Sequence, residues 1–224
     1  KLDKSQWYDI FKRLTYWELE LEKSAENSVE QILEMQKSEA NSQFFKFVKN
    51  NYKDWMNGED PPIMSHNLIR KKVLPLMMDE KPTYMILVDN LRYDQWKIIE
   101  PFVLEDFVIE TDEIYTSILP TATQYARNSI FSGLLPSEIQ KRHPALWKND
   151  DDYGGKNMHE EEFLLDNLRM LGNGDSKVSY TKITNLDAGR KTVAKIPNMR
   201  VNSLNVIVYN FVDMLSHART DMKV

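Results

Sequence analysis

Trp7, Ile10, Phe11, Leu14, Trp17 and Leu21 recur at steps of three and four, which draws one apolar stripe along a helix. A second series runs Val29, Ile32, Leu33, Ala40, Phe44, Phe47, Val48, Tyr52 and Trp55, and stops before Asn57-Gly58. Pro61-Pro62 interrupts the pattern. Ser65 then reads as the N-cap of a third helix through Leu68, Ile69, Val73, Leu76 and Met77, kinked or shortened by Pro75. Three amphipathic helices must bury their stripes on one another, so residues 1–79 predict a small helical bundle.

The pattern changes at Lys81-Pro82. Thr83 to Val88 is a short continuous apolar run, as in a strand buried on both faces. The residues predict a helix through Trp96, Ile98, Ile99, Phe102, Val103 and Leu104, a strand from Phe107 to Ile118, and a helix from Thr123 to Phe131 that breaks at Ser132-Gly133. Residues 144–156 are polar and loop-like. Leu164 to Leu171 reads as a helix, and Lys177 to Ile183 and Leu204 to Phe211 as strands. Strands alternating with helices predict an α/β domain with a mostly parallel sheet over residues 80–224.

Composition narrows the function. The net charge of −5 gives no bulk attraction to nucleic acid phosphate. The chain has no Cys, which removes disulfides and thiolate metal sites and leaves Asp, Glu, His and hydroxyl groups as ligands. Its longest apolar runs fall far short of the roughly 20 residues of a membrane helix. A cytoplasmic protein is the expectation, read as a piece of a longer chain.

Open α/β sheets bind ligands beyond the carboxyl ends of their strands. Two apolar strands here run into an acid at that point, Asp89 and Asp213. His217 follows Asp213 by four residues, a workable carboxylate–imidazole chelate. The third element is Pro120-Thr121-Ala122-Thr123 entering a helix that carries Arg127. Thr121 or Thr123 caps the helix on the simpler account. On the functional account, hydroxyls and free N–H groups at a helix start favour phosphate, with the Arg127 fork one turn on. The acids from Glu18 to Glu34 read as solvated faces, and His66, His143 and His159 fall outside the motif.

Taken in order, these pieces resemble the alkaline phosphatase superfamily, and Pro-Thr-x-Thr followed by Gly133 and Leu-x-Pro is similar to the nucleotide pyrophosphatase/phosphodiesterase pattern. The resemblance puts Thr123 on the nucleophile. Sulfatases need Cys or Ser there, so Thr favours phosphoryl transfer. With Val-Asp-Asn-Leu-Arg-Tyr-Asp-Gln-Trp at 88–96 and the helices ahead of it, the chain is similar to the PglZ domain of PorX-type response regulators of Bacteroidetes.

That resemblance implies an alkaline phosphatase-like sheet flanked by helices, truncated at its end and preceded by a helical bundle. It implies two metal ions, zinc with manganese as the alternative. Asp89 and Thr123 would hold one ion, and Asp213 and His217 the other, with Arg127 on the substrate. No Asp-His dipeptide follows in these residues, which fits truncation. The implied activity is a phosphodiesterase on nucleotide or oligonucleotide diesters. It would be the output of a two-component regulator of type IX secretion, with a receiver domain in the same chain, a sensor kinase and a homodimeric state. The alternative is a regulatory module that binds a nucleotide or partner without turnover. A phosphomonoesterase usually needs extra basic groups around a terminal phosphate, and none is identifiable from sequence.

Overall fold

The computed structural model describes residues 2–23, 27–78, 81–149, 152, 155–210 and 212. They divide into two compact units: residues 1–62 with 92–114, and residues 63–91 with 115–224.

The first unit holds helix α1 (Lys4–Glu22), helix α2 (Asn27–Met56) and helix α3 (Tyr93–Val103). Asp3 starts α1 with a reciprocal box: its carboxylate accepts from Gln6 N–H at 2.9 Å and its own N–H reaches Gln6 Oε1 at 2.9 Å. The predicted stripes meet where Trp7 packs edge-on to Phe44, centroids 5.5 Å apart, and against Phe47 at 6.1 Å. Phe47 in turn meets Trp55 at 5.6 Å. Phe11 lies 5.5 Å from Tyr93, which joins α3 to this unit.

The second unit is built on a three-stranded parallel sheet in the order β1 (Thr83–Val88), β3 (Leu204–Tyr209), β2 (Val178–Ile183). β3 is central, and Leu204, Val206 and Val208 have no exposed surface. A strand covered on both faces must be apolar throughout, which is why this run was legible. Around the sheet stand α4 (Thr123–Ser132), α5 (Pro136–Arg142), α6 (Glu160–Met170) and α7 (Leu186–Met199). Phe131, Ile139, Phe163, Leu164 and Leu168 join the β3 side chains in one core. The fold is α/β with a parallel sheet flanked by helices, as the sequence implied.

Three local expectations give way. Residues 107–118 form no strand among the described residues: only Thr116 makes a bridge, to Met64, while Phe107 and Val108 are 69% and 86% exposed. The third N-terminal helix is broken into short turns, 3₁₀ over Ser65–Asn67, π over Ile69–Val73 and 3₁₀ over Leu74–Met78. Pro75 lacks the N–H that would continue an α-helical ladder. Ser65 is not the cap either; Met64 holds that position, and the Ser65 hydroxyl accepts from Ile118 N–H at 3.2 Å.

Candidate active site

Register fixes the first two groups. β1 and β3 pair Val88 with Tyr209, and the ladder continues as Asp89 N–H donates to the Tyr209 carbonyl at 3.0 Å. Asp89 and Asn210 therefore stand side by side just past the carboxyl ends of adjacent parallel strands. Asn90 follows at φ 61°, a left-handed turn that asparagine tolerates, and it ends the strand abruptly there.

α4 delivers the third and fourth groups. The residue at its N-cap is Ala122, which has no side-chain acceptor, so neither Thr121 nor Thr123 caps the helix. Thr123 is the first helical residue, and its hydroxyl has no hydrogen-bond partner among the described residues. Arg127, one turn on, is not a surface residue but 5% exposed. Its Nη1 donates to Asp89 Oδ2 at 2.6 Å and to Asn210 Oδ1 at 2.6 Å, and its Nε donates to Glu160 Oε1.

Glu160 opens α6 and is 1% exposed. Tyr180 and Lys182, successive residues on one face of β2, donate to its Oε2 at 2.5 and 3.2 Å. Burial first, then the Glu160 charge and the hydrogen bond to it, push the Tyr180 phenol far above its usual value. It stays a donor. Asn157 Nδ2 completes the cluster, reaching Asn128 Oδ1 at 3.2 Å, the Thr123 carbonyl at 3.3 Å and Glu160 Oε1 at 3.4 Å.

Part of this network opens onto a pocket of about 370 Å³ lined by Asp89, Thr123, Arg127, Lys156, Lys182 and Asn210, among others. Of the site residues expected from sequence, Asp89, Thr123 and Arg127 share this one wall. Asp213 and His217 lie outside the described residues. The other histidines serve the scaffold. His143 Nε2 pairs with Asp166 at 3.1 Å, His159 Nδ1 pairs with Glu162 at 3.1 Å, and burial lowers the affinity of His66 for a proton.

Sequence reasoning missed Glu160, Lys182, Asn157 and Asn210. Glu160 sits in an acid triplet that resembles a solvated face. The signal was its spacing: Glu160, Phe163, Leu164, Asn167 and Leu168 fall on one helical stripe, and that stripe is the buried one.

A family model described as the BREX system PglZ alkaline phosphatase-like domain matches residues 68–224. The chain belongs to the PglZ family. A second model, the PorX response regulator linker domain, matches residues 1–56 ahead of the PglZ domain. The two matches together are those of a PorX-type regulator with a PglZ domain, and they make this PglZ domain a response-regulator output domain of phosphatase-like fold. No curated protein matches the chain. No described helix is long and apolar enough to cross a membrane.

Alkaline phosphatase-like domains are typically metal-dependent. Among the described residues of this PglZ domain, no three His, Asp or Glu side chains gather as a metal site. Asp89 and Thr123 supply two oxygen donors on one pocket wall, the right kind for a hard or borderline cation.

Proposed function

We propose that the chain is the catalytic output of a two-component response regulator, a metal-dependent phosphodiesterase acting on nucleotide-type diesters with Thr123 as nucleophile. The observation that carries this reading is the meeting of Asp89, Thr123 and Arg127 on one pocket at the carboxyl end of the parallel sheet.

Asp89 and Thr123 would hold one cation and Asp213 with His217 a second, zinc being preferred and manganese the alternative. Bound zinc supplies Lewis acidity, which makes a threonine hydroxyl nucleophilic near neutral pH and lowers the pKa of water. Thr123, whose hydroxyl has no hydrogen-bond partner among the described residues, attacks phosphorus in line. The Thr–O–P bond forms as the bond from phosphorus to the leaving oxygen breaks, the threonine proton passes to solvent and the leaving oxygen takes a proton from solvent. Arg127 meets the non-bridging oxygens with its Nη2 group, which has no hydrogen-bond partner among the described residues. Water then cleaves the phosphothreonine.

By family likeness the domain acts in the cytoplasm, in a chain that also carries a receiver domain answering to a sensor kinase. It works as a homodimer and controls type IX secretion. A second reading draws on the Asp89–Arg127 ion pair, which commits an expected metal ligand to a guanidinium. On that reading the domain binds a nucleotide or partner without turnover. Hydrolysis of bis(p-nitrophenyl) phosphate with Zn²⁺, and again after chelation, separates the two. Turnover that chelation abolishes supports the enzyme, and its absence from zinc-loaded protein supports the binding module.

A further inference from the structure

Asn210 stands at the end of the central strand, and its backbone is held from both sides. Its N–H donates to the Ile183 carbonyl of β2 at 2.8 Å, one step after Asp89 N–H on the β1 side reaches the Tyr209 carbonyl at 3.0 Å. The Asn210 side chain is thereby set beside Asp89 on the pocket wall.

Chemistry decides which way its amide faces. A guanidinium has donors only, so the atom 2.6 Å from Arg127 Nη1 must be the amide oxygen. That leaves Nδ2 with its N–H donors, and neither has an acceptor among the described residues. The nitrogen is also open to solvent. Among the described residues, the buried side-chain N and O atoms without a partner are those of Trp7, His66 and Ser129. Asn210 thus turns its acceptor to Arg127 and keeps its donors for whatever enters the pocket.

The residue type supports the same role. For accepting from Arg127 alone an aspartate would serve better, because charge-assisted hydrogen bonds are the stronger kind. What an amide has and a carboxylate lacks is a donor. The charges around it are already engaged with one another: Glu160 takes Arg127 Nε and Lys182 Nζ, and Asp89 takes Arg127 Nη1. A phosphodiester spreads a single negative charge over its non-bridging oxygens. A neutral donor beside Arg127 Nη2 serves those oxygens without adding charge to a balanced cluster.

We propose that Asn210 is a substrate-binding residue whose Nδ2 donates to a non-bridging oxygen of the phosphodiester, with Arg127 holding the amide in the orientation that allows it. The inference rests on the pocket being the phosphodiester site of the reading above, but it requires no turnover.

The test is calorimetric titration of the chain, in the presence of Zn²⁺, with diphenyl phosphate, a diester with poorer leaving groups than bis(p-nitrophenyl) phosphate. Asn210→Ala removes acceptor and donors and is expected to weaken binding at least about tenfold, the size of one hydrogen bond to a charged group. Asn210→Asp keeps an acceptor for Arg127 and loses the donors. It is expected to bind no more tightly than the alanine variant. In the wild type, the Asn210 side-chain amide signals, assigned by their absence from the Asn210→Asp spectrum, are expected to move downfield in the ¹H–¹⁵N spectrum as the ligand saturates.

An aspartate variant that binds within about twofold of wild type overturns the proposal, because Asn210 would then serve only as an acceptor for Arg127. So do amide signals that stay in place at saturation, and so does a wild type that does not bind diphenyl phosphate. Asn210-dependent binding in a protein that fails to hydrolyse bis(p-nitrophenyl) phosphate upholds this inference and removes the catalytic reading. Hydrolysis with binding indifferent to Asn210 does the reverse.

Discussion

Arg127 Nη1 donates to Asp89 Oδ2 at 2.6 Å while its Nε is held by Glu160, so one guanidinium ties the end of β1 to the start of α6. All three side chains are shielded, at 6% exposure for Arg127, 14% for Asp89 and 1% for Glu160. Removing the cation leaves two carboxylates without their shared partner. Arg127→Met is therefore expected to destabilise the chain by about 3–5 kcal/mol in urea denaturation. Arg127→Lys keeps the charge, loses the fork and costs less. A loss below about 1 kcal/mol for the methionine variant would mean that the triad is not formed.

Tyr180 gives a second handle on the same cluster. Its phenol donates to Glu160 at 2.5 Å and is pushed well above the ordinary phenol range by burial and by that carboxylate. Phenolate absorbance gained between roughly pH 9 and 11 is therefore expected to be the same in wild type and Tyr180→Phe. The variant is expected to lose about 1–2 kcal/mol, because a buried acceptor goes short of a donor. A smaller absorbance gain in Tyr180→Phe would show that Tyr180 ionises normally.

The parts of the fold legible in sequence are those whose burial is one-sided in kind. β1 and β3 are near-continuous apolar runs, and Thr83–Val88 lies where the residues predicted it. The supposed strand at 107–118 has equally apolar residues but carries Glu110, Asp112 and Glu113 and finds a partner only at Thr116. Strand propensity is realised only against a neighbour. Helix α7 was hidden by Gly189 and Pro197, although Asn185 caps it, accepting from Ala188 N–H at 2.8 Å. Helix α5 was hidden by Pro136, which sits at the first position, where its missing N–H costs nothing. In the site, Asp89, Thr123 and Arg127 were readable because strand ends and helix starts leave sequence marks. Glu160 and Lys182 were not, since their charge is hidden by partners distant in sequence.

Gly133 ends α4 at φ 68°, the left-handed conformation expected of a helix-terminating glycine. A Cβ built there would lie 2.5 Å from Asn167 Oδ1, and the Asn167 amide is already committed to the Phe131 carbonyl at 2.9 Å. Both the conformation and the crowding oppose a side chain. Gly133→Ala is expected to lower stability by about 1–3 kcal/mol in the same urea assay. An unchanged midpoint would contradict this placement of Asn167.

Asp166 predicts an acid limb. Its hydrogen bonds from Arg142, at 2.7 and 3.4 Å, hold its carboxyl below the usual carboxylate value, helped by the charges of Arg142 and His143. A depressed folded value contributes stability that is full above the unfolded pKa, near 3.9, and is lost as pH falls through the lower folded value. In Asp166→Asn the urea midpoint is expected to be lower than wild type at neutral pH. The gap is expected to close as pH falls below about 4. A gap that stays constant would assign the loss to packing instead of charge.

Thr123 bears the central claim, because it is the one group asked to form a bond. The direct measurement is the rate of bis(p-nitrophenyl) phosphate hydrolysis by zinc-loaded wild type, Thr123→Ser and Thr123→Ala. A threonine nucleophile predicts turnover retained in part by serine and reduced at least about a thousandfold by alanine, with circular dichroism unchanged. Hydrolysis by the alanine variant within tenfold of wild type would contradict it, and the chemistry would then belong to another group.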